Sequence, residues 1–285
     1  MVYLNLKLTK SFIHTSTTKY IIFFDFDETY FPHDCTDELL RNLNELEDYL
    51  QFLVLDQSIK IVWVTGSDLS QIAHKMKRAN MSYSPHVIAS NLGTELYNVS
   101  EKGELLLNED WEHRLKNVYF SSRAVKELEN ELSHVYNIKL VEQTQFGQKG
   151  YKWNYYYFEE SKTKSQYDLK IIRHLAKLNE LGMNISKCNP KAGDPENAYD
   201  IDFIPLNMGK KEIVEFMIRY YQVSLSNTIA FGDSGNDLEM LKTVQHGYLL
   251  ENATEEAKRF HDQITDSHYS LGILEVLNKL FPHSK

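Results

Sequence analysis

Two cysteines, Cys35 and Cys188, are all that the 285 residues contain, so no disulfide framework can be read and a reducing compartment is expected. Basic charge is also scarce. Thirty-one Lys and Arg face forty Asp and Glu, a net charge of −9, and a nucleic-acid protein would need a basic face for its phosphate contacts. No apolar run approaches the roughly 18 residues of a membrane span. The first twenty residues lack the long apolar core of a secretory leader. The expectation is a soluble, cytoplasmic protein with neither nucleic acid nor membrane as partner, and with an oligomeric state that the sequence leaves open. An anionic substrate would need local neutralisation by a metal and a few lysines.

What the sequence does have is a set of short apolar runs that end in polar groups. In YIIFFDFDETY at 20–30, five apolar residues stop at Asp25 and Asp27, with Thr29 close behind. A run without alternation reads as a strand buried on both faces of a parallel sheet. Ligands bind at the carboxyl ends of such strands. If the backbone stays extended, Asp25 and Asp27 fall on one side, as a carboxylate pair able to hold a hard cation or to divide nucleophilic and proton-transfer roles. IKIVWVTGSD at 59–68 ends in the same manner at Thr65, Gly66 and Ser67, and NTIAFGDSGND at 227–237 ends in Asp233, Asn236 and Asp237.

Between these runs the pattern is that of a doubly wound α/β sheet. Thr36 is the expected N-cap of a first helix with Leu39, Leu40, Leu43 and Leu46 on its inner side. A second helix is expected over 68–80, a strand and turn over 85–97, a helix from about 208 to 221, and a final helix over 271–280. An added edge strand is expected over 3–8 in an otherwise polar extension. Within 94–205 the rhythm changes: helices at 121–136 and 164–181 are each followed by two strands, at 138–143 and 152–158, then at 183–188 and 199–205. A duplicated αββ order implies an α+β module with a largely antiparallel sheet. The expected division is a core of 1–93 with 206–285 and an inserted domain of 94–205, with hinges near Gly93 and from Pro205 to Gly209.

Three strand ends and the helix start at Lys210 thus bring together carboxylates, a threonine, a lysine and an amide. Several acids in one cleft repel each other unless a cation sits among them. Oxygen donors without His or Cys favour Mg²⁺. Lysine, hydroxyl and backbone amides suit a phosphate, so the combination points to phosphoryl transfer.

These residues resemble the four motifs of the haloacid dehalogenase superfamily of phosphatases. FDFDET fits D-x-D-x-T, Thr65 the second motif, Lys210 the third, and GDSGND fits G-D-x-x-x-D. The insertion between the second and third motifs resembles the C2-type cap in its αββ-duplicated form. GTEL at 93–96, YDIDFIP at 199–205 and GDSGNDLEM at 232–240 are similar to sucrose-phosphate phosphatases and related sugar phosphatases. The resemblance implies a Rossmann-like core, a Mg²⁺ cofactor and a sugar 6-phosphate substrate. Asp25 would be the nucleophile and Asp27 the acid and base. The metal would be held by Asp25, Asp27 through its backbone carbonyl, Asp233 and Asp237. Thr65, the Gly66 amide, Lys210 and Asn236 would bind the phosphate. Glu28 departs from the Gly or Asn of many relatives.

Some residues invite plainer readings. Lys211 competes with Lys210 for the phosphate role. Trp153, Tyr155, Tyr156 and Tyr157 are more naturally strand residues packed inside the inserted domain than a sugar-stacking surface. The eleven histidines lack zinc spacing and read as ordinary surface or core residues. By analogy with related caps, Lys152, Lys187, Asn189 and Lys191 are the candidates for sugar contacts. A sucrose or other glycosyl phosphate is an alternative substrate, and a non-catalytic phosphosugar-binding module is the alternative from a different class.

Overall fold

The computed structural model describes residues 6–143, 150–190 and 193–282. The chain forms two compact units: unit 1 is Met1–Glu112 with Lys210–Lys285, and unit 2 is His113–Gly209. Both divisions lie C-terminal to the expected 93/94 and 205/206. After β3 (Val87–Ser90) the chain stays in the first sheet and adds β4 (Glu95–Val99) and β5 (Leu105–Leu107), antiparallel to their neighbours. Trp111, in α3 (Glu109–Lys116), then anchors the segment, with its indole N–H donating to the Gly93 carbonyl at 2.9 Å. Gly93 therefore lies inside unit 1 and not at a hinge between units.

Unit 1 is built on β1 (Tyr20–Phe24), whose Ile21, Ile22, Phe23 and Phe24 are fully buried. Removing each such side chain from water stabilises the fold by ~1.5–3 kcal/mol, which makes this strand the natural centre of the sheet. It pairs in parallel with β2 (Ile59–Val64) on one side and β10 (Thr228–Gly232) on the other. With β11 (His246–Leu249) the strand order is β11-β10-β1-β2-β3-β4-β5. The chain runs from β1 outward through β2 and β3, then returns to the other flank of β1 at β10. The carboxyl ends of β1 and β10 therefore border the point where the order reverses, the place where such sheets bind ligands.

The helices that cover this sheet start where the sequence supplies caps. Thr36 Oγ accepts from the Leu39 amide at 3.3 Å and opens α1 (Asp37–Gln57), which buries Leu43, Leu46, Leu50 and Leu53 and stops at Ser58 in the left-handed region. This face packs on α9 (Tyr269–Leu280) in the same core cluster, which holds Ile273, Val276 and Leu277. Asp68 and Gln71 close a capping box at the start of α2 (Leu69–Arg78). Unit 1 is completed by α6 (Lys210–Tyr220), α7 (Leu238–Thr243) and α8 (Glu255–Lys258). Residues 3–5 of the edge strand expected over 3–8 lie outside the described residues, and Lys7 makes an isolated bridge to Glu104.

Unit 2 carries α4 (Ser122–Tyr136), β6 (Val141–Glu142), β7 (Trp153–Phe158), α5 (Lys162–Leu178), β8 (Leu181–Lys187) and β9 (Ala198–Pro205). The strands form an antiparallel sheet in the order β6-β7-β9-β8, as the duplicated αββ pattern implies. The first strand is two residues long, Val141–Glu142, and not 138–143; Ile138 and Leu140 ahead of it are buried in the core. Trp153, Tyr155 and Tyr157 alternate along β7 and pack with Ile201 and Phe203 against α4 and α5, so these three are core, whereas Tyr156 is half-buried and donates to Asp194 at 3.5 Å. The other side of the sheet is polar: Asp202 accepts from Asn154, and from Asn184 at 3.1 Å. Among the described residues no helix is long and apolar enough to cross a membrane.

Candidate active site

At the end of β1 the chain gives up its apolar character within one residue. The Asp25 amide still bonds to the Phe231 carbonyl of β10 at 3.0 Å, so Asp25 continues the ladder while its side chain enters the gap at the switch point. There it meets Asp233 and Asp237 from the turn after β10. One carboxylate oxygen of each of the three lies within 4.8 Å of the others. Gly232 makes the approach possible. A Cβ at that position would sit 2.5 Å from Asp237 Cβ and 2.6 Å from its carboxyl carbon, which no side chain tolerates.

Lys210, the first residue of α6, sends its ammonium into this cluster. It donates to Asp25 Oδ1 at 2.6 Å, Asp237 Oδ1 at 2.7 Å and Asn236 Oδ1 at 3.3 Å, and all but a few per cent of its side chain is buried. Lys211 is only half-buried, and the contacts single out Lys210. Thr29 donates to Asp233 Oδ1 at 3.1 Å. Asp237 is also the turn's own anchor, accepting the Asp233 and Ser234 amides at 3.1 and 3.0 Å.

One ammonium does not balance three buried carboxylates. Burial and the neighbouring Asp237 push the Asp25 carboxyl up to about 7 even though Lys210 pulls it down. Burial, with Asp25 and Asp237 alongside, pushes Asp233 well above the usual carboxylate range. For Lys210, burial alone would lower the ammonium, but Asp237 and Asp25 outweigh it and hold it charged. An all-oxygen donor set with surplus negative charge fits a divalent cation such as Mg²⁺.

Asp27 does not share this environment. The chain turns back between Phe26 and Phe31, with the Phe31 amide bonded to the Phe26 carbonyl at 2.7 Å, so the extended backbone that would keep the two acids together is lost. The Asp27 carboxylate lies outside the trio, and the metal role expected of Asp27 is that of its backbone carbonyl. Its Oδ1 contacts His33 Nε2 at 2.9 Å and the Lys75 ammonium, and its Oδ2 accepts from Ser67 Oγ at 2.7 Å and from Thr65 Oγ at 3.5 Å. Burial would raise this carboxyl, but the His33 hydrogen bond and the Lys75 charge outweigh it and hold it well below the usual range.

Thr65 and Gly66 stand at the end of β2 as expected. Thr65 Oγ accepts the Ser67 amide at 3.0 Å, and the Thr65 carbonyl accepts the Leu92 amide at 2.9 Å, so the turn after β3 buttresses this one. In unit 2, Lys152 is buried with its Nζ 4.0 Å from Asp202, whereas Lys187 is exposed beside Glu159 at 3.5 Å. The Asn189 amide donates to Asp194 at 3.3 Å, and Lys191 lies outside the described residues.

Three features escaped the sequence. His33 is a buried neighbour of Asp27, not an ordinary histidine, and Lys75 and Ser67 complete its surroundings. The only local signal was the placement of Ser67 directly after Thr65-Gly66. Glu28 has φ 57°, in the left-handed region, which is the physical reason a Gly or Asn suits this position. Here the conformation is braced: Tyr269 Oη donates to Glu28 Oε2 at 2.7 Å, and Asn252 Nδ2 donates to the Glu28 carbonyl at 2.6 Å.

A Rossmann-like sheet with this cluster at its switch point is matched by the family model of haloacid dehalogenase-like hydrolases over residues 22–277. The chain belongs to that family. It is 47% identical over 262 residues to kanosamine-6-phosphate phosphatase of Bacillus subtilis (strain 168), covering 92% of this chain and 93% of that protein. It is 32% identical over 257 residues to an uncharacterized hydrolase of Staphylococcus aureus (strain MRSA252), covering 90% and 94%. Among solved structures, a haloacid dehalogenase-like hydrolase protein from Bacillus subtilis matches with a TM-score of 0.74 at 44% identity, over 97% of this chain and 96% of that one. The sucrose-phosphatase of Synechocystis sp. PCC6803, solved with sucrose and phosphate, matches with a TM-score of 0.70 at 17% identity, over 92% and 98%, and so shares the fold.

Proposed function

We propose that this hydrolase is a Mg²⁺-dependent phosphatase of a sugar 6-phosphate, with kanosamine 6-phosphate as its preferred substrate. The observation that carries the reaction is the buried set of Asp25, Asp233 and Asp237 around the Lys210 ammonium at the switch point of the sheet. The choice of sugar rests on the 47% identity to kanosamine-6-phosphate phosphatase.

In this reading Asp27, held as the carboxylate in the free protein, takes up a proton as the phosphate monoester binds; an Asp25 oxygen then attacks phosphorus, the bond from phosphorus to the sugar oxygen breaks, and Asp27 passes that proton to the departing oxygen. Water then attacks the aspartyl-phosphate and passes a proton to Asp27, releasing inorganic phosphate and restoring the Asp25 carboxylate. Lys210 orients Asp25 and offsets charge on the phosphoryl oxygens, together with Thr65, the Gly66 amide and Asn236. Asp25, Asp233 and the Asp27 backbone carbonyl, with Asp237 in support, would hold Mg²⁺. The cation supplies the positive charge that lets a carboxylate approach an anionic ester. Selection of the sugar is assigned to unit 2, with Lys152, Lys187, Asn189 and Lys191 as its candidate contacts.

The test is phosphate release from a panel of hexose and disaccharide phosphates with Mg²⁺. Kanosamine 6-phosphate should give the highest kcat/KM, and Asp25→Asn should abolish release. Undiminished release by that variant would overturn the covalent route. A higher kcat/KM for sucrose 6-phosphate would overturn the sugar assignment while keeping the reaction, and no turnover of any phosphate would leave a binding module in its place.

A further inference from the structure

The contacts of Asp27 ask for more than a structural explanation. Its side chain is 28% exposed, so the carboxylate is not shut away from water. Yet donors from three parts of unit 1 converge on it. His33 comes from the chain that turns back after β1, Ser67 from the turn after β2, and Lys75 from α2. The donors are themselves tied together. Lys75 Nζ also donates to Ser67 Oγ at 2.9 Å, so the serine accepts from the lysine while it donates to Asp27. Arg78, one turn further along α2, donates to the His33 carbonyl and lies over the Phe31 ring at 5.7 Å. The helix thus fixes both the carboxylate and the segment that presents His33.

We infer that Ser67, Lys75 and His33 are positioning residues that set the place of the Asp27 carboxyl group for proton transfer. The inference rests on the reading of Asp27 as the proton carrier. Both oxygens are gripped, so the carboxyl cannot rotate about its Cβ–Cγ bond without breaking a hydrogen bond, and its location is set by α2 and the β2 turn. A carboxyl that must give a proton to one oxygen and take one from a water needs such a fixed place, because proton transfer requires the partners within hydrogen-bond reach. Misplacement by an ångström is costly.

The leaving group provides the discriminating measurement. A sugar oxygen departs as a strongly basic alkoxide unless it is protonated, whereas p-nitrophenolate departs without help. kcat/KM reports the steps through the first phosphoryl transfer, so the two substrates separate proton donation from everything else. Lys75→Met and Ser67→Ala should each lower kcat/KM for the sugar 6-phosphate by about tenfold or more beyond any loss with p-nitrophenyl phosphate. In an Asp27→Asn background, which should itself show the selective loss, neither change should add to the selectivity. Ser67→Ala removes one oxygen and no charge, so it reports even if Lys75→Met folds poorly. Equal losses on the two substrates, or a selective loss that persists without Asp27, would overturn the positioning role. Equal losses in Asp27→Asn alone would instead overturn the proton-carrier reading on which it rests.

Discussion

The Lys210 ammonium lies 2.6 Å from Asp25 Oδ1, joining the first turn of α6 to the end of β1 across 185 positions of sequence. It is the positive charge within hydrogen-bonding reach of both Asp25 and Asp237, and its loss leaves like charges crowded in a buried space.

Lys210→Met should therefore lower kcat/KM by about 10²–10³, the usual cost of removing one charge-stabilising donor. It should also destabilise unit 1 by ~3–5 kcal/mol, since one side of a buried ion pair is removed and the other stays. Steady-state kinetics and denaturant titration check the two effects. An active, equally stable variant would mean that Lys211 or another cation can take its place.

The trio of acids should make the protein's stability respond to Mg²⁺ without any substrate. At a concentration about a hundred times its dissociation constant, a cation bound only by the folded state adds ~2.7 kcal/mol. The melting temperature should rise with Mg²⁺ in the native protein and rise far less in Asp233→Asn. An identical rise in both would place the cation elsewhere.

Glu28 holds a left-handed backbone under the control of Tyr269. Tyr269→Phe removes a hydrogen bond to a carboxylate and should cost ~1.5–3 kcal/mol. In a Glu28→Gly background the same change should cost almost nothing, because glycine needs no brace at φ 57°. Additive costs in the double variant would show that Tyr269 acts through its ring and not through Glu28.

Glu47 gives the protein a pH dependence away from the site. It is fully buried in α1, accepts the Ser82 amide at 2.8 Å, and burial pushes its carboxyl up from 4.5 to about 7 against the pull of that bond. A folded pKa above the unfolded one means that stability from this group is complete below about 4.5 and is lost as the pH rises through about 7. Between pH 5 and pH 8 the native protein should lose roughly 2–3 kcal/mol more than Glu47→Gln, read by denaturant titration at the two pH values. Parallel losses would mean that Glu47 titrates in the folded protein as it does in the unfolded chain.

What could be read in advance follows from where the chain changes character. β1, β2 and β10 announced themselves as unbroken apolar runs, and each polar group that ended one was conspicuous because burial and charge conflict. The αββ repetition of unit 2 was legible for the same reason, since its helix and strand periods alternate cleanly. The β4–β5 edge was not, because the turn from β3 keeps the chain in the first sheet through pairing that only the partner strand decides. The sequence by itself located Asp25, Thr65, Lys210, Asn236, Asp233 and Asp237, the set proposed to carry the reaction, because strand ends and a helix start place them. Only the tertiary structure decided that Asp27 parts company with Asp25. The surroundings of Asp27 depend on the turn between Phe26 and Phe31 and on a helix that delivers Lys75, contacts no local pattern encodes.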